Sequence, residues 1–192
     1  LSIPEAHIVS GYCIGASRPV RTVVVVSQKP IADVRRIWLD SHSRTSSLLT
    51  RILCRELWKI EPQFLYLDDY SLLDTPQDGD AFLLIGDKVF PREGHFRHSY
   101  DLAECWNTMT GLPFVFALWI ARESVPGQEI EALERSLAFG LDRIPEAIEA
   151  YGHSAKPYAF DYLTKNIDFI LDQPKRKALA LFWEKAALLD PR

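Results

Sequence analysis

No apolar run in this sequence approaches the roughly 20 residues that a bilayer-spanning helix needs. The longest centres on Val23, Val24, Val25 and Val26, so no transmembrane helix is expected. Cysteine is scarce. Cys13, Cys54 and Cys105 are odd in number and too far apart for a Cys-x-x-Cys pair, which favours reduced, buried thiols over a disulfide framework. An excess of positive charge is also lacking. Against 26 Asp and Glu stand 22 Lys and Arg, for a net charge of -4, and the basic residues are scattered rather than aligned on one helix face. A nucleic-acid surface or an anionic-membrane surface is therefore not indicated. The Gly-x-x-x-x-Gly-Lys loop of nucleotide binding and the Gly-x-Ser-x-Gly elbow of serine hydrolases are missing, and no internal repeat or low-complexity tract is present. A secretory signal is not expected from these residues, although the chain opens at Leu1 rather than at a Met, which leaves room for a preceding segment.

What is present is an ordinary globular composition. With 192 residues, 47% of them hydrophobic and 25% charged, such a chain can bury about 70% of its unfolded surface without staples. β-Branched runs at residues 7–14 and 22–27, bounded by Gly11, Gly15 and Pro19, predict two strands joined by a turn. The unbroken valines of the second predict a strand buried on both faces. Further strands are expected at 36–39, 63–67, 81–85 and 114–120, with a short helical segment from Pro30. Between 36–39 and 63–67, a polar turn leads into Leu48, Leu49, Ile52, Leu53 and Leu57 at helical spacing, a helix that Pro62 stops. Helices are also expected at 101–109, closed by Gly111, and from Ile130 to Ile148 with Pro145 dividing it. Two more are expected at about 159–171 and 174–189. Strands alternating with helices through residue 120, followed by helices alone, imply an α/β fold with a mainly parallel sheet.

The segment Ser43-Arg44-Thr45-Ser46-Ser47 opens the helix that follows strand 36–39. A helix N-terminus presents unpaired N–H groups and partial positive charge. Hydroxyls on Thr45 and Ser46 and the guanidinium of Arg44 add donors suited to a small anion or carboxylate. The competing reading is that Ser43 merely caps the helix and Arg44 is solvated. Gly86-Asp87 follows a predicted strand at the carboxyl end, where open α/β sheets place ligands; Asp87 serves equally as the N-cap of the next turn. His95 and His98 have a spacing that zinc accepts, but no neighbouring ligands complete a set, so no metal is expected. His42 between Ser41 and Ser43 suggests a nucleophile with its base, yet adjacent side chains seldom face each other. Trp106, Phe114, Phe116 and Trp119 either wall an aromatic ligand or pack the core.

Five segments, taken in order, resemble a known family: Pro4-Glu5-Ala6-His7-Ile8-Val9, Tyr12-Cys13-Ile14-Gly15-Ala16, Ser43-Arg44-Thr45-Ser46, Leu84-Ile85-Gly86-Asp87 and Thr110-Gly111-Leu112-Pro113-Phe114-Val115-Phe116-Ala117. Together they are similar to the chorismate dehydratases of the futalosine route to menaquinone. The resemblance is closest over residues 3–122 and weaker beyond.

The resemblance implies a two-lobed fold of the type II periplasmic-binding-protein kind in a cytoplasmic enzyme, with the first lobe incomplete in this chain. Residues 1–21 would be a returning segment of the first lobe with its hinge, 22–111 the second lobe, and 112–192 a hinge strand and the helical remainder of the first lobe. A Phe-Leu-Asn-like segment of the family's first strand is absent from this chain, and Ser17-Arg18 stands where Asp-Gly is more common. The implied activity is that of a carbon-oxygen lyase, a hydro-lyase converting chorismate to 3-[(1-carboxyvinyl)oxy]benzoate without a cofactor. The related 1,4-dihydroxy-6-naphthoate synthase and a non-catalytic binding protein for a small organic anion are the alternatives. By likeness, Thr22, Ser43, Arg44, Thr45, Ser46 and Gly86 face the substrate, and Asp87 is the candidate for catalysis. The expected partner is chorismate, not nucleic acid or membrane, and a homodimer is compatible with the sequence.

Overall fold

The structure, a computed structural model, describes residues 5–122, 124–152 and 157–189. Two sheets organise it. The larger has five strands in the order β4-β3-β5-β2-β6, built from β2 (Val23–Ser27), β3 (Arg36–Asp40), β4 (Gln63–Leu67), β5 (Asp80–Ile85) and β6 (His98–Asp101). β3 runs parallel to β4 and β5, whereas β2 lies antiparallel to both β5 and β6. The smaller sheet, β7-β1-β8, is antiparallel throughout and is made of β1 (His7–Ala16), β7 (Phe114–Ala121) and β8 (Asp168–Ile170).

Several expectations need correction. The strands at 7–14 and 22–27 form, in different sheets, but the larger sheet is mixed rather than mainly parallel. β6 lies where a loop followed directly by a helix was expected. Its His-Ser-Tyr-Asp sequence carries little strand propensity, and pairing with the edge of β2 makes it a strand. The helix expected at 159–171 is instead a short α5 (Ala159–Asp161), a π-helical turn (Tyr162–Asn166) and then β8. There the backbone of Tyr12 and Gly15 on β1 offers Ile170 and Asp168 a ladder.

β2 is buried at all five residues, as an uninterrupted run of valines requires. The first helix, α1 (Arg44–Leu53), turns Leu49, Ile52 and Leu53 fully inward. Burial of each such side chain stabilises the fold by roughly 1.5–3 kcal/mol. α1 then relaxes into a π-helical turn (Cys54–Trp58), which Lys59 ends in the left-handed region at φ 55°, three residues before Pro62.

Asp101 caps α2 (Leu102–Thr110) by accepting from the amides of Ala103 and Glu104, and Gly111 closes this helix at φ 70°. Trp106 is fully buried and donates its indole N–H to the Pro113 carbonyl at 3.0 Å. With Phe114 and Phe182 it forms an edge-to-face cluster, so Trp106 and Phe114 belong to the core, while Trp119 is 46% exposed.

Pro145 does divide the next helical stretch, into α3 (Gly127–Leu141) and α4 (Ile144–Tyr151). Neither helix contains a fully buried residue, and a cavity of about 420 Å³ lies between α3 and the strands β1 and β7. The last helix, α6 (Gln173–Ala187), packs Ala178, Leu179, Phe182 and Ala186 inward. No described helix is long and apolar enough to cross a membrane.

Lys175 of α6 is wholly buried, with its ammonium 2.5 Å from Asp168 and 3.1 Å from Asp172. Its stem fits beneath Gly15. A Cβ added there would stand 3.0 Å from the Phe114 carbonyl oxygen and 3.2 Å from Cδ and Cε of Lys175. Gly15→Ala should therefore lower stability by roughly 1–3 kcal/mol through overpacking against backbone. The check is urea unfolding, and an unshifted midpoint would show that β1 and Lys175 yield without cost.

Candidate functional site

The carboxyl ends of β3 and β5 and the start of β2 meet at one end of the larger sheet. β3 delivers the chain into α1, and there Ser43 is the N-cap. Its hydroxyl oxygen accepts from the Ser46 amide at 3.2 Å, and its proton goes to the Ser46 hydroxyl at 2.8 Å. Ser46 is 2% exposed. The hydroxyls of Ser43 and Ser46 thus build the cap rather than project from it. The amides of Arg44 and Thr45 occupy the first turn, where an α-helix supplies no acceptor. Arg44 is exposed and Thr45 half-buried. Within the Ser-Arg-Thr-Ser segment, Ser43 and Ser46 therefore shape the helix start, and Ser43 and Arg44 line the groove beside it.

Immediately before the cap, the fully buried carboxylate of Asp40 gathers donors from three segments. Oδ1 accepts from the His42 amide at 2.9 Å and lies 3.0 Å from His42 Nδ1. Oδ2 accepts from the Tyr70 hydroxyl and from Lys88 Nζ, each at 2.8 Å. Lys88 also donates to the Tyr70 hydroxyl oxygen. Burial alone would raise the Asp40 pKa, but the hydrogen bonds from Lys88, the His42 amide and Tyr70 outweigh it and hold the carboxyl below its ordinary value. Lys88 is correspondingly raised: burial opposes its charge, and Asp40 and Tyr70 more than restore it.

Across the sheet, Thr22 is 3% exposed and its hydroxyl lies 2.8 Å from that of Tyr162. A ligand meets this hydroxyl only when Tyr162 withdraws. The Thr22 carbonyl accepts from the Gly86 amide at 2.7 Å, and Gly86 needs its glycine for φ 64° rather than for space. Asp87 is exposed beside it. Burial, and after it the charge of Asp87, raises the Tyr162 phenol despite the Thr22 contact.

Arg21 adopts φ 66°, a conformation held by its amide, which donates to Asp101 Oδ2 at 2.7 Å. Its guanidinium lies 5.4 Å from the centre of the Phe90 ring and pairs with Glu93 at 3.0 Å. Phe90 in turn stacks on Tyr158. His98 lies in β6, stacked beside Tyr100. Among the described residues no group of three His, Cys, Asp or Glu side chains converges as metal ligands would.

From the mouth of α1 a groove of about 1160 Å³ runs along the helix toward β4, lined in part by Ser43, Arg44, Arg51, Lys59 and Phe64. Arg51 lies over the Phe64 ring at 4.2 Å, while among the described residues Arg44 has no carboxylate partner. The mouth therefore offers the Arg44 guanidinium and helix amides to an anion. The Asp40 network, with Tyr70 and Lys88, escaped sequence reasoning because its members lie 30 and 48 positions from Asp40. The short Asp-x-His spacing was the one local signal.

Over residues 3–188 the chain matches the family described as menaquinone biosynthesis. It is 27% identical over 190 residues to a Thermus thermophilus protein named chorismate dehydratase, covering 88% of this chain and 69% of that one. The crystal structure of protein AF1704 from Archaeoglobus fulgidus aligns with a TM-score of 0.61, at 21% identity, over 95% of this chain and 72% of that chain. At that identity the likeness speaks to the fold alone.

The depressed pKa of Asp40 makes its contribution to stability fully present above the unfolded carboxyl value of about 3.9, and that contribution is lost as pH falls through the lower folded value. Asp40→Asn should cost roughly 1.5–3 kcal/mol at neutral pH, the scale of hydrogen bonds to a charged group. The variant should also lose less stability than wild type on acidification below about pH 4. Urea titrations from pH 3 to pH 7 on both proteins read this, and parallel acid limbs would remove Asp40 as a contributor.

Proposed function

The chain belongs to the menaquinone biosynthesis family, and on that footing we propose that it is a chorismate dehydratase, a hydro-lyase that forms 3-[(1-carboxyvinyl)oxy]benzoate and water. The name of the Thermus thermophilus relative supports the activity. The observation in this molecule that carries it is the electropositive mouth of α1, with Arg44 unpaired among the described residues and Thr45 beside it. Chorismate bears two carboxylates, and an Arg fork backed by helix amides is suited to grip one of them.

The reading includes two hinged α/β units of the periplasmic-binding type. It is supported by the way the chain crosses between sheets, once between β1 and β2 and again between α2 and β7. Arg21, in its left-handed conformation, lies in the first crossing and Gly111 in the second. Ligand contact is assigned to Arg44, Thr45 and the amides of α1, with Ser43 and Ser46 fixing their geometry. The reading also assigns Thr22, which lies against Tyr162, and Gly86 to the substrate, with Asp87, exposed next to Gly86, as the catalytic candidate. A cytoplasmic location belongs to the same reading.

Dehydration of chorismate removes a ring hydroxyl and a neighbouring ring hydrogen, and the product is aromatic. Because aromatisation drives the reaction, the protein's task is to orient the ring, anchor the carboxylates and stabilise the departing hydroxide. Incubating the protein with chorismate and following product by mass spectrometry tests the activity. Enolpyruvyl benzoate is expected, and unaltered chorismate beside folded protein would overturn the reading. Arg44→Ala should raise KM roughly tenfold to 100-fold, the loss of one charged hydrogen-bonded anchor. A KM within twofold of wild type in steady-state kinetics would take Arg44 out of the site.

A further inference from the structure

We propose that the groove beside α1 is a docking site for an extended, acidic segment of another protein, which adds to the larger sheet as a strand along β4. The cations that line it lie on one stripe of the helix. Arg44, Leu48, Arg51, Arg55 and Lys59 follow one another at steps of three or four residues, and all five face the groove. Arg55 is engaged by Glu56 at 2.7 Å and by the Leu188 carbonyl at 2.9 Å. Among the described residues Arg51 and Lys59 have no carboxylate partner. Of the acids in the lining, Asp40 is buried and paired with Lys88, which leaves Glu61 alone. Arg51 lies two helical turns, about 10 Å, beyond Arg44, so this stretch of groove is separate from the mouth assigned to the substrate.

The other side of the groove is a sheet edge. Among the described residues β4 bonds only to β3. The Gln63 amide turns toward β3 and donates to the Arg35 carbonyl at 2.8 Å. Successive peptide groups of a strand point to opposite sides, so the N–H and C=O of Phe64 and Tyr66 face outward without a ladder. The side chains of these two residues stand on the α1 side, Phe64 under Arg51 at 4.2 Å and Tyr66 61% exposed. β4 thus presents free backbone groups beside the cationic stripe.

Spacing selects the occupant. α1 leads from β3 to the parallel β4 and so runs back along both strands. Four residues of helix rise about 6 Å, and alternate residues of a strand are about 6.6 Å apart. A strand laid on β4 therefore brings every second side chain opposite a successive cation of the row Arg51, Arg55 and Lys59. Acidic residues at those positions complement the row while the backbone completes the edge, the two components of recognition by strand addition. At about 1160 Å³ the groove exceeds the roughly 300–1,000 Å³ of small-ligand pockets. A second copy offering its own β4 would set Arg51 and Lys59 against their counterparts. A nucleic acid would match the charge but has no amide ladder for β4.

Fluorescence anisotropy of the protein with a labelled peptide of alternating Glu and Thr tests the inference, beside a peptide of the same composition whose Glu and Thr stand in separate blocks. At low salt the alternating peptide should bind roughly tenfold more tightly than the blocked one. Arg51→Gln together with Lys59→Gln should weaken its binding roughly tenfold, and Tyr66→Pro, which removes one outward N–H from an edge strand, by a similar factor. Circular dichroism checks that the variants fold, and the two peptides on the unaltered protein decide the matter if one does not. No binding, equal binding of the two peptides, or undiminished binding by folded variants overturns the inference. Oligothymidylate of equal charge that binds as tightly does the same. So does self-association of the wild type in sedimentation that Tyr66→Pro abolishes, which would assign the edge to a second copy.

Discussion

A carboxylate stripped of water must be supplied with donors, because its desolvation otherwise costs several kcal/mol. At the end of β3, Asp40 meets that demand from three separate segments: the turn into α1, the segment after β4 and the turn after β5. The arrangement ties together the loops that surround the mouth of α1. It also places an imidazole and a helix start, which the backbone alone would leave loosely related, in fixed register. The turn into α1 is thus organised by an ion pair between the buried Asp40 carboxylate and the partly exposed Lys88 ammonium.

Opposite this anchor the molecule is held by contacts of another kind. Arg21 has a left-handed backbone that its amide bond to Asp101 sustains, and its guanidinium rests on Phe90. Phe90 stacks on Tyr158, and Tyr162 closes over Thr22. These aromatic contacts join the turn region after β5 to the segment after α4. The turn before α1 is therefore pinned by charge at the end of the larger sheet, and the turn region after β5 by stacked rings from the segment leading into the smaller sheet.

Much of this was legible in the sequence where the signal is local. Unbroken valines gave a fully buried β2, apolar spacing gave α1, Gly111 and Pro145 marked a helix end and a helix break, and Ser43 was readable as a cap. The failures share one cause. β6 and β8 are strands because β2 and β1 offer them ladders, not because His98-Ser99-Tyr100-Asp101 or Asp168-Phe169-Ile170 demand it, and no window along the chain contains that information. The candidate site divides the same way. The segment from Ser43 to Ser46 announced a helix start, but which hydroxyls turn inward depends on packing beneath α1. The Asp40 partner of His42 becomes significant only once Tyr70 and Lys88 arrive from elsewhere in the chain.

The fit of Lys175 beneath Gly15 joins two positions 160 residues apart into a single steric unit. The hydrogen at position 15 and the long stem at position 175 occupy one volume between them, bounded by the immovable Phe114 carbonyl. Position 15 is the more constrained of the two, since backbone as well as side chain closes on it. A larger residue in β1 would meet the Phe114 carbonyl even in lineages that had shortened the side chain on α6, and such lineages would also have to relocate the positive charge that Asp168 and Asp172 require. Among relatives position 15 should therefore stay glycine, while position 175 changes in step with Asp168 and Asp172, leaving in ancestry a trace of contacts that no single sequence displays.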